Sequence, residues 1–229
     1  MEYIICLIGI LIALIILYIL MGTKLKNIKD LRNKPEYDDI ANKLPHNLEI
    51  GKEILKYFNN DHTQIQQEEG TQTLYVATSD KIFVASEEKN YTRIQTMAHE
   101  CIHSMQPRTL LLFHFIFSNI YLIANFIIIV LTVFGILPPS MEILNILLIM
   151  AILNFTIKIY LELDAMTKAP FITEKILKKY TQITENEKQE LLHAYENVNN
   201  MAIPYAVINL LFSICMPIII YIIVAFFMC

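Results

Sequence analysis

The chain has 229 residues, 55% of them hydrophobic and only 17% charged, a balance too apolar for an ordinary soluble domain. Its formal net charge of −4 provides no basic footprint for nucleic acid. Its four scattered cysteines supply no disulfide framework.

The apolar excess lies in blocks, and the first is Tyr3 to Met21. At about 1.5 Å per residue such a run crosses a hydrocarbon core of about 30 Å. Met1-Glu2 carry no positive charge and no small-x-small cleavage site follows, so the run reads as a retained anchor rather than a secretory signal. Lys24, Lys26, Lys29, Arg32 and Lys34 come next, a cationic stretch suited to anionic headgroups. Asn47 to Phe58 has Leu48, Leu55 and Phe58 at helical spacings behind Pro45, which predicts a short amphipathic helix. Thr73–Ala77 and Lys81–Ala85 are β-rich runs separated by Thr78-Ser79-Asp80, which predicts a hairpin. Its edge either holds extended substrate or only covers the next helix.

His99-Glu100-Cys101-Ile102-His103 is the most informative segment. On a helix running from near Thr92 to before Pro107, residues four apart share a face, so both imidazoles reach one Zn²⁺ and Glu100 reaches water bound to it. Gln106 follows His99 by seven residues on nearly the same face, where its amide can orient a ligand or a substrate carbonyl. Cys101 is two residues from each histidine and faces away from both.

Leu110–Leu137 is the second apolar block, Pro138-Pro139-Ser140-Met141-Glu142 a turn, and Ile143–Leu161 the third block. This hairpin returns the chain to the level of the histidines and delivers Glu162-Leu163-Asp164-Ala165. Acidic groups beside an apolar helix end are costly unless paired or ligating, so Glu162 is the expected third ligand. Two positions on a helix subtend about 200°, which leaves Asp164 to fix a histidine ring or anchor the helix from outside the ligand set. His114 is a weaker candidate ligand, about 16 Å along a continuous helix from His103. His193 is a candidate transition-state donor or an exposed helix residue. Ile203–Cys229, without charge, is the fourth block. All 18 Lys and Arg except Lys158 fall in the two polar segments, 22–109 and 162–202, which puts both in the cytosol and the amino terminus outside. The ligand site is then expected close to the cytosolic interface.

These residues resemble a family, the membrane-bound neutral zinc metallopeptidases of bacteria (YugP-like), whose pattern is an anchor, a helix and hairpin, an HExGHxxQ helix, a membrane hairpin and a Glu-Phe-Asp-Ala-Ser run before the last span. The matching residues are His99, Glu100, His103 and Gln106, then Glu162-Leu163-Asp164-Ala165-Met166, and finally Ala194-Tyr195 and Ala202 to Ala206. Ile102 stands in place of the glycine and Met166 in place of the serine. The resemblance implies zinc peptidase activity.

The expected architecture is mainly α: a multi-pass membrane protein with four transmembrane helices and a small α+β zincin-like cytosolic segment carrying the HExxH helix. Its segments are an anchor (1–21), the cytosolic hairpin and HExxH segment (22–109), a transmembrane hairpin (110–161), a cytosolic helical segment (162–202) and a last span (203–229). The expected function is peptide-bond hydrolysis at the cytosolic face of a bacterial membrane, with Zn²⁺ on His99, His103 and Glu162 and Glu100 as general base. A peptide or membrane-protein substrate and the lipid bilayer are the expected partners, and nucleic acid is not. A catalytically inactive scaffold or metal-binding interaction protein is the alternative. An ion path through Asn119, Asn125 and Asn154 has weaker support. The topology makes a direct prediction. In a cysteine-free background, single cysteines at Ser86 and Glu187 should resist an impermeant maleimide in intact cells, and one at Ser140 should react. Labelling at Ser86 but not Ser140 would invert the orientation.

Overall fold

The computed structural model describes residues 2–21, 34–70, 72–86 and 90–228. Of the expected cationic stretch, Lys24, Lys26, Lys29 and Arg32 lie outside these described residues. The elements are α1 (Glu2–Leu20), α2 (Pro35–Ala41), α3 (Asn47–Tyr57), β1 (Gln64–Glu68), β2 (Leu74–Val76), β3 (Lys81–Ala85), α4 (Arg93–His103), α5 (Arg108–Val133), α6 (Met141–Leu177) and α7 (Glu185–Met228). The structure is mainly helical, with one small sheet. Its residues group into an apolar unit (Met1–Thr23, Phe113–Tyr160, Pro204–Cys229) and a polar unit (Lys24–Leu112, Leu161–Ile203).

Helices α1, α5, α6 and α7 are each long and apolar enough to cross a membrane. The third and fourth apolar blocks are parts of longer helices, of 37 and 44 residues, because no glycine breaks either run and Pro170, Pro204 and Pro217 sit inside them. A proline removes one backbone bond without ending a helix that packing holds on both sides. In the apolar unit Tyr121, Leu144, Leu147, Ile218, Tyr221 and Ile222 form the core. Two tyrosine hydroxyls tie its elements: Tyr121 donates to the Ile214 carbonyl at 2.6 Å, and Tyr221 donates to the Ser140 carbonyl at 3.2 Å. Helix α5 ends on Gly135 at φ +69°, where the Ile136 N–H reaches back to the Leu131 carbonyl. Only glycine adopts that φ without a Cβ penalty. Outward-facing residues include Ile19, Phe126, Ile149 and Phe227, an exterior that hydrocarbon tolerates and water does not.

The polar unit is built around α4. Ile94, Met97, Ala98, Cys101 and Ile102 recur at helical spacing and are all buried in one core with Ile50, Ile54, Ile82, Val84, Ala165, Ala169, Leu191 and Tyr195. At about 100° per residue this stripe points away from His99 and His103, so one helix has a packed face and a chemical face. A Cβ at Gly51 of α3 would collide with Ile65 and Met97, so glycine there allows α3 to lie close against α4. Strands β2 and β3 form the expected hairpin, paired antiparallel with Tyr75 opposite Ile82. Two elements were not expected. Strand β1 pairs parallel with β3, giving the order β1-β3-β2, and its Gln-Ile-Gln-Gln-Glu sequence carries almost no β-branched signal. Helix α2 is a short helix with proline at its start and Glu36 and Asp38 in its first turn.

Arg93 fixes the start of α4. It is 5% exposed, and its guanidinium donates to the Ala41, Leu44 and Pro45 carbonyls and to Asn47 Oδ1, so one planar fork satisfies the carbonyls that the end of α2 leaves open. Tyr195 adds a hydrogen bond from its hydroxyl to the Tyr91 carbonyl, just before α4. Arg93→Ala should lower stability by about 2–4 kcal/mol, the cost of stranding several buried acceptors, and Arg93→Lys should recover only part of it. Thermal unfolding of the purified variants measures both.

Candidate metal centre

The histidines leave α4 on its unpacked face and meet a carboxylate from α6. His99 Nε2 and His103 Nε2 are 3.0 Å apart, and Glu162 Oε2 lies 3.4 Å from the first and 3.8 Å from the second. Among the described residues these three form the group able to hold a metal ion, their donor atoms all within 4.8 Å of one another. A tetrahedral ion bound at about 2.0–2.2 Å spaces its ligands about 3.4 Å apart, and the three observed separations bracket that value. The side chains keep 11–20% of their surface exposed, so one side of the group opens to solvent.

Gln106 determines which nitrogen of His103 is bare. Its amide nitrogen donates to the Leu161 carbonyl at 2.8 Å and to Asp164 Oδ2 at 3.1 Å, so its oxygen must be the atom 2.8 Å from His103 Nδ1. An oxygen there accepts, so the proton sits on Nδ1 and Nε2 presents its lone pair to the group. Asp164 Oδ1 in turn pairs with Lys168. Partial burial pushes the Asp164 carboxyl up, but hydrogen bonds from Lys168 and Gln106 and the Lys168 charge outweigh it and hold the group below the usual carboxylate range. Glu162 and Asp164 thus serve different partners from different faces of α6, and Asp164 acts on His103 through Gln106 rather than by touching the ring.

Glu100 is 8% exposed, and its Oε2 accepts the Tyr75 N–H at 2.7 Å. Tyr75 lies on β2, an edge strand, and this N–H points out of the ladder. The edge of the hairpin therefore meets the glutamate of the HExxH segment. Cys101 is fully buried with its Sγ 3.8 Å from the Gly51 carbonyl, and burial pushes its thiol up, which disfavours the thiolate a metal needs. His114 lies in the apolar unit and is not one of the three grouped residues. His193 is exposed, lies 3.2 Å from the Asn197 amide nitrogen and is not one of the three grouped residues, which agrees with the reading of it as an exposed helix residue.

Some participants carried no sequence signal. Asn199 of α7 accepts from Gln95 of α4 at 2.7 Å and donates to the Met166 carbonyl of α6 at 2.9 Å, linking the two helices that supply the ligands. Its surroundings in sequence, Asn-Val-Asn-Asn, read only as a polar helix face. The Tyr75 contact is made by backbone, which no side-chain pattern reveals. Ile102 is taken into the core at 4% exposure and is not one of the three grouped residues.

No protein-family model, no curated protein and no solved structure matches this chain.

Glu162→Ala and His103→Ala should each abolish stoichiometric metal binding. Asp164→Ala should weaken it by about ten- to a hundredfold, as removal of a carboxylate behind a ligand does. Chelator competition on purified protein ranks them, and loss of metal from Asp164→Ala with retention by Glu162→Ala would exchange the two roles.

Proposed function

We propose that this chain is a zinc-dependent peptidase of a bacterial membrane, acting at its cytosolic face and related to the YugP-like metallopeptidases that its motifs resemble. The observation that carries the reading is the convergence of His99, His103 and Glu162 next to a second carboxylate, Glu100, which the Tyr75 amide holds. Two imidazoles and one carboxylate form a donor set suited to catalytic zinc, with one position left for water. Structural zinc usually takes four protein ligands and has no use for an adjacent base. That difference favours an enzyme over an inert metal-binding scaffold.

Bound zinc supplies Lewis acidity, which acidifies a coordinated water and polarises a carbonyl. The chain's own groups do the rest. Glu100 accepts the proton of the attacking water and hands it to the leaving amine. His103 is held by Gln106 in the tautomer that leaves Nε2 available, and Asp164 with Lys168 holds Gln106. The short edge strand β2 lies next to Glu100, a position in which an extended peptide can add to a sheet. The four long apolar helices support a membrane location, and substrates of the membrane or its surface follow from that location.

Glu100→Gln should keep metal stoichiometry, since the residue is not a ligand, and lose hydrolysis of a broad peptide library by at least about a hundredfold. Equal cleavage by both proteins would remove the catalytic role. Zinc at one equivalent with no cleavage by the unmodified protein would favour the scaffold.

A further inference from the structure

The polar unit has a second cluster of reactive side chains that the metal centre does not use. A cleft of about 510 Å³ is lined by Lys52, Glu53, Lys56 and Tyr57 of α3 and by Lys179 of the turn that follows α6. Lys175 joins it, donating from Nζ to the Tyr57 hydroxyl at 2.7 Å and lying 5.2 Å from the ring centroid, while Lys179 Nζ lies 5.9 Å from the same centroid.

Lys52 and Lys56 are one turn apart on α3, and Lys175 in the last turn of α6 and Lys179 in the turn after it both reach the Tyr57 ring, so like charges from two segments line one cleft. The single carboxylate in the lining, Glu53, offsets only one of these lysines. Glu53 is committed to Lys179 at 3.1 Å and to the Tyr180 hydroxyl at 2.6 Å, and the nearby Glu174 is paired with Lys178. Among the described residues Lys52 and Lys56 have no hydrogen bond or ion pair. The Tyr57 hydroxyl accepts from Lys175 and keeps its own proton to donate. What faces the cleft is therefore a set of donors, most of them cationic, arranged around one aromatic ring.

We propose that this cleft binds a phosphate group. A phosphate presents several acceptor oxygens and up to two negative charges to ammonium groups arriving from α3, from the end of α6 and from the turn after it, and lysine serves such groups as a movable point charge. A single carboxylate would leave half of these donors unmatched. The group can belong to a soluble phosphate or to the headgroup of an anionic phospholipid.

Lysine acetylation, read peptide by peptide by mass spectrometry on the full-length protein in phosphatidylcholine nanodiscs, tests the site at constant ionic strength. One arm adds inorganic phosphate; the other replaces part of the phosphatidylcholine with phosphatidylglycerol. At a phosphate concentration about four times its dissociation constant, Lys52, Lys56, Lys175 and Lys179 should react about fivefold more slowly, with Lys168 unchanged as reference. Protection in the first arm assigns a soluble phosphate, and protection in the second alone assigns the headgroup. Unchanged rates in both arms overturn the proposal. In Lys52→Gln/Lys56→Gln the protection of Lys175 and Lys179 should disappear, and its persistence would also overturn a shared site. If that double variant lacks a thermal transition, Tyr57→Phe replaces it, with weakened protection expected and full protection counting against the proposal.

Discussion

One glutamine amide joins the two helices that supply the candidate ligands. Gln106 follows α4, accepts from His103 Nδ1, and spends its two N–H bonds on the Leu161 carbonyl and the Asp164 carboxylate of α6. Each contact constrains the others, because an amide has one acceptor end and one donor end and cannot be reversed without breaking at least two bonds. It fixes the tautomer of His103 and the height of α6 against α4. Glu162 then arrives beside the two imidazoles on the turn that starts at Leu161. At 7% exposure the amide is nearly out of water, where a bond left unmade costs most.

The demands on α4 are met by dividing its circumference. The stripe from Ile94 to Ile102 anchors the helix in the core, and the opposite face carries His99 and His103. Glu100 falls between them, and its burial is made tolerable by the charge-assisted hydrogen bond from the Tyr75 amide. The same division explains why an isoleucine is accommodated at position 102, since its side chain turns towards the core. Arg93 and Tyr195 hold the amino-terminal end of α4, and Asn199 bridges it to α6, so the ligand-bearing helices are braced along their length and not only at the histidines.

The apolar unit uses polar groups sparingly. Tyrosine hydroxyls reach backbone carbonyls between elements, and Thr132 and Asn125 return their donors to carbonyls of their own helix. The Oδ1 atoms of Asn125 and Asn154 remain buried without a hydrogen-bond partner. The contrast with the polar unit, where amides and a guanidinium link separate elements, follows from solvent: where water competes, only buried and mutually satisfied hydrogen bonds stabilise a site.

Sequence alone determined the features that depend on local periodicity and composition. The spacing of His99 and His103 set them on one helical face, four uninterrupted apolar runs became four long helices, and the β-rich runs around Thr78-Ser79-Asp80 became the hairpin. Glu162 was legible as well, because a carboxylate at the end of an apolar run needs a partner and the hairpin of helices returns it to the histidines. Tertiary structure decided the rest. Strand β1 has no propensity of its own and exists because β3 offers it an open edge; the Tyr75 contact uses a backbone N–H that every residue but proline possesses. Arg93 looked like any polar residue until the carbonyls at the end of α2 surrounded it. His193 carried a suggestive side chain, yet its position on α7 turns it to solvent. Local order is encoded in neighbouring residues, whereas the partners of a backbone amide or a buried guanidinium are chosen only when distant segments pack together.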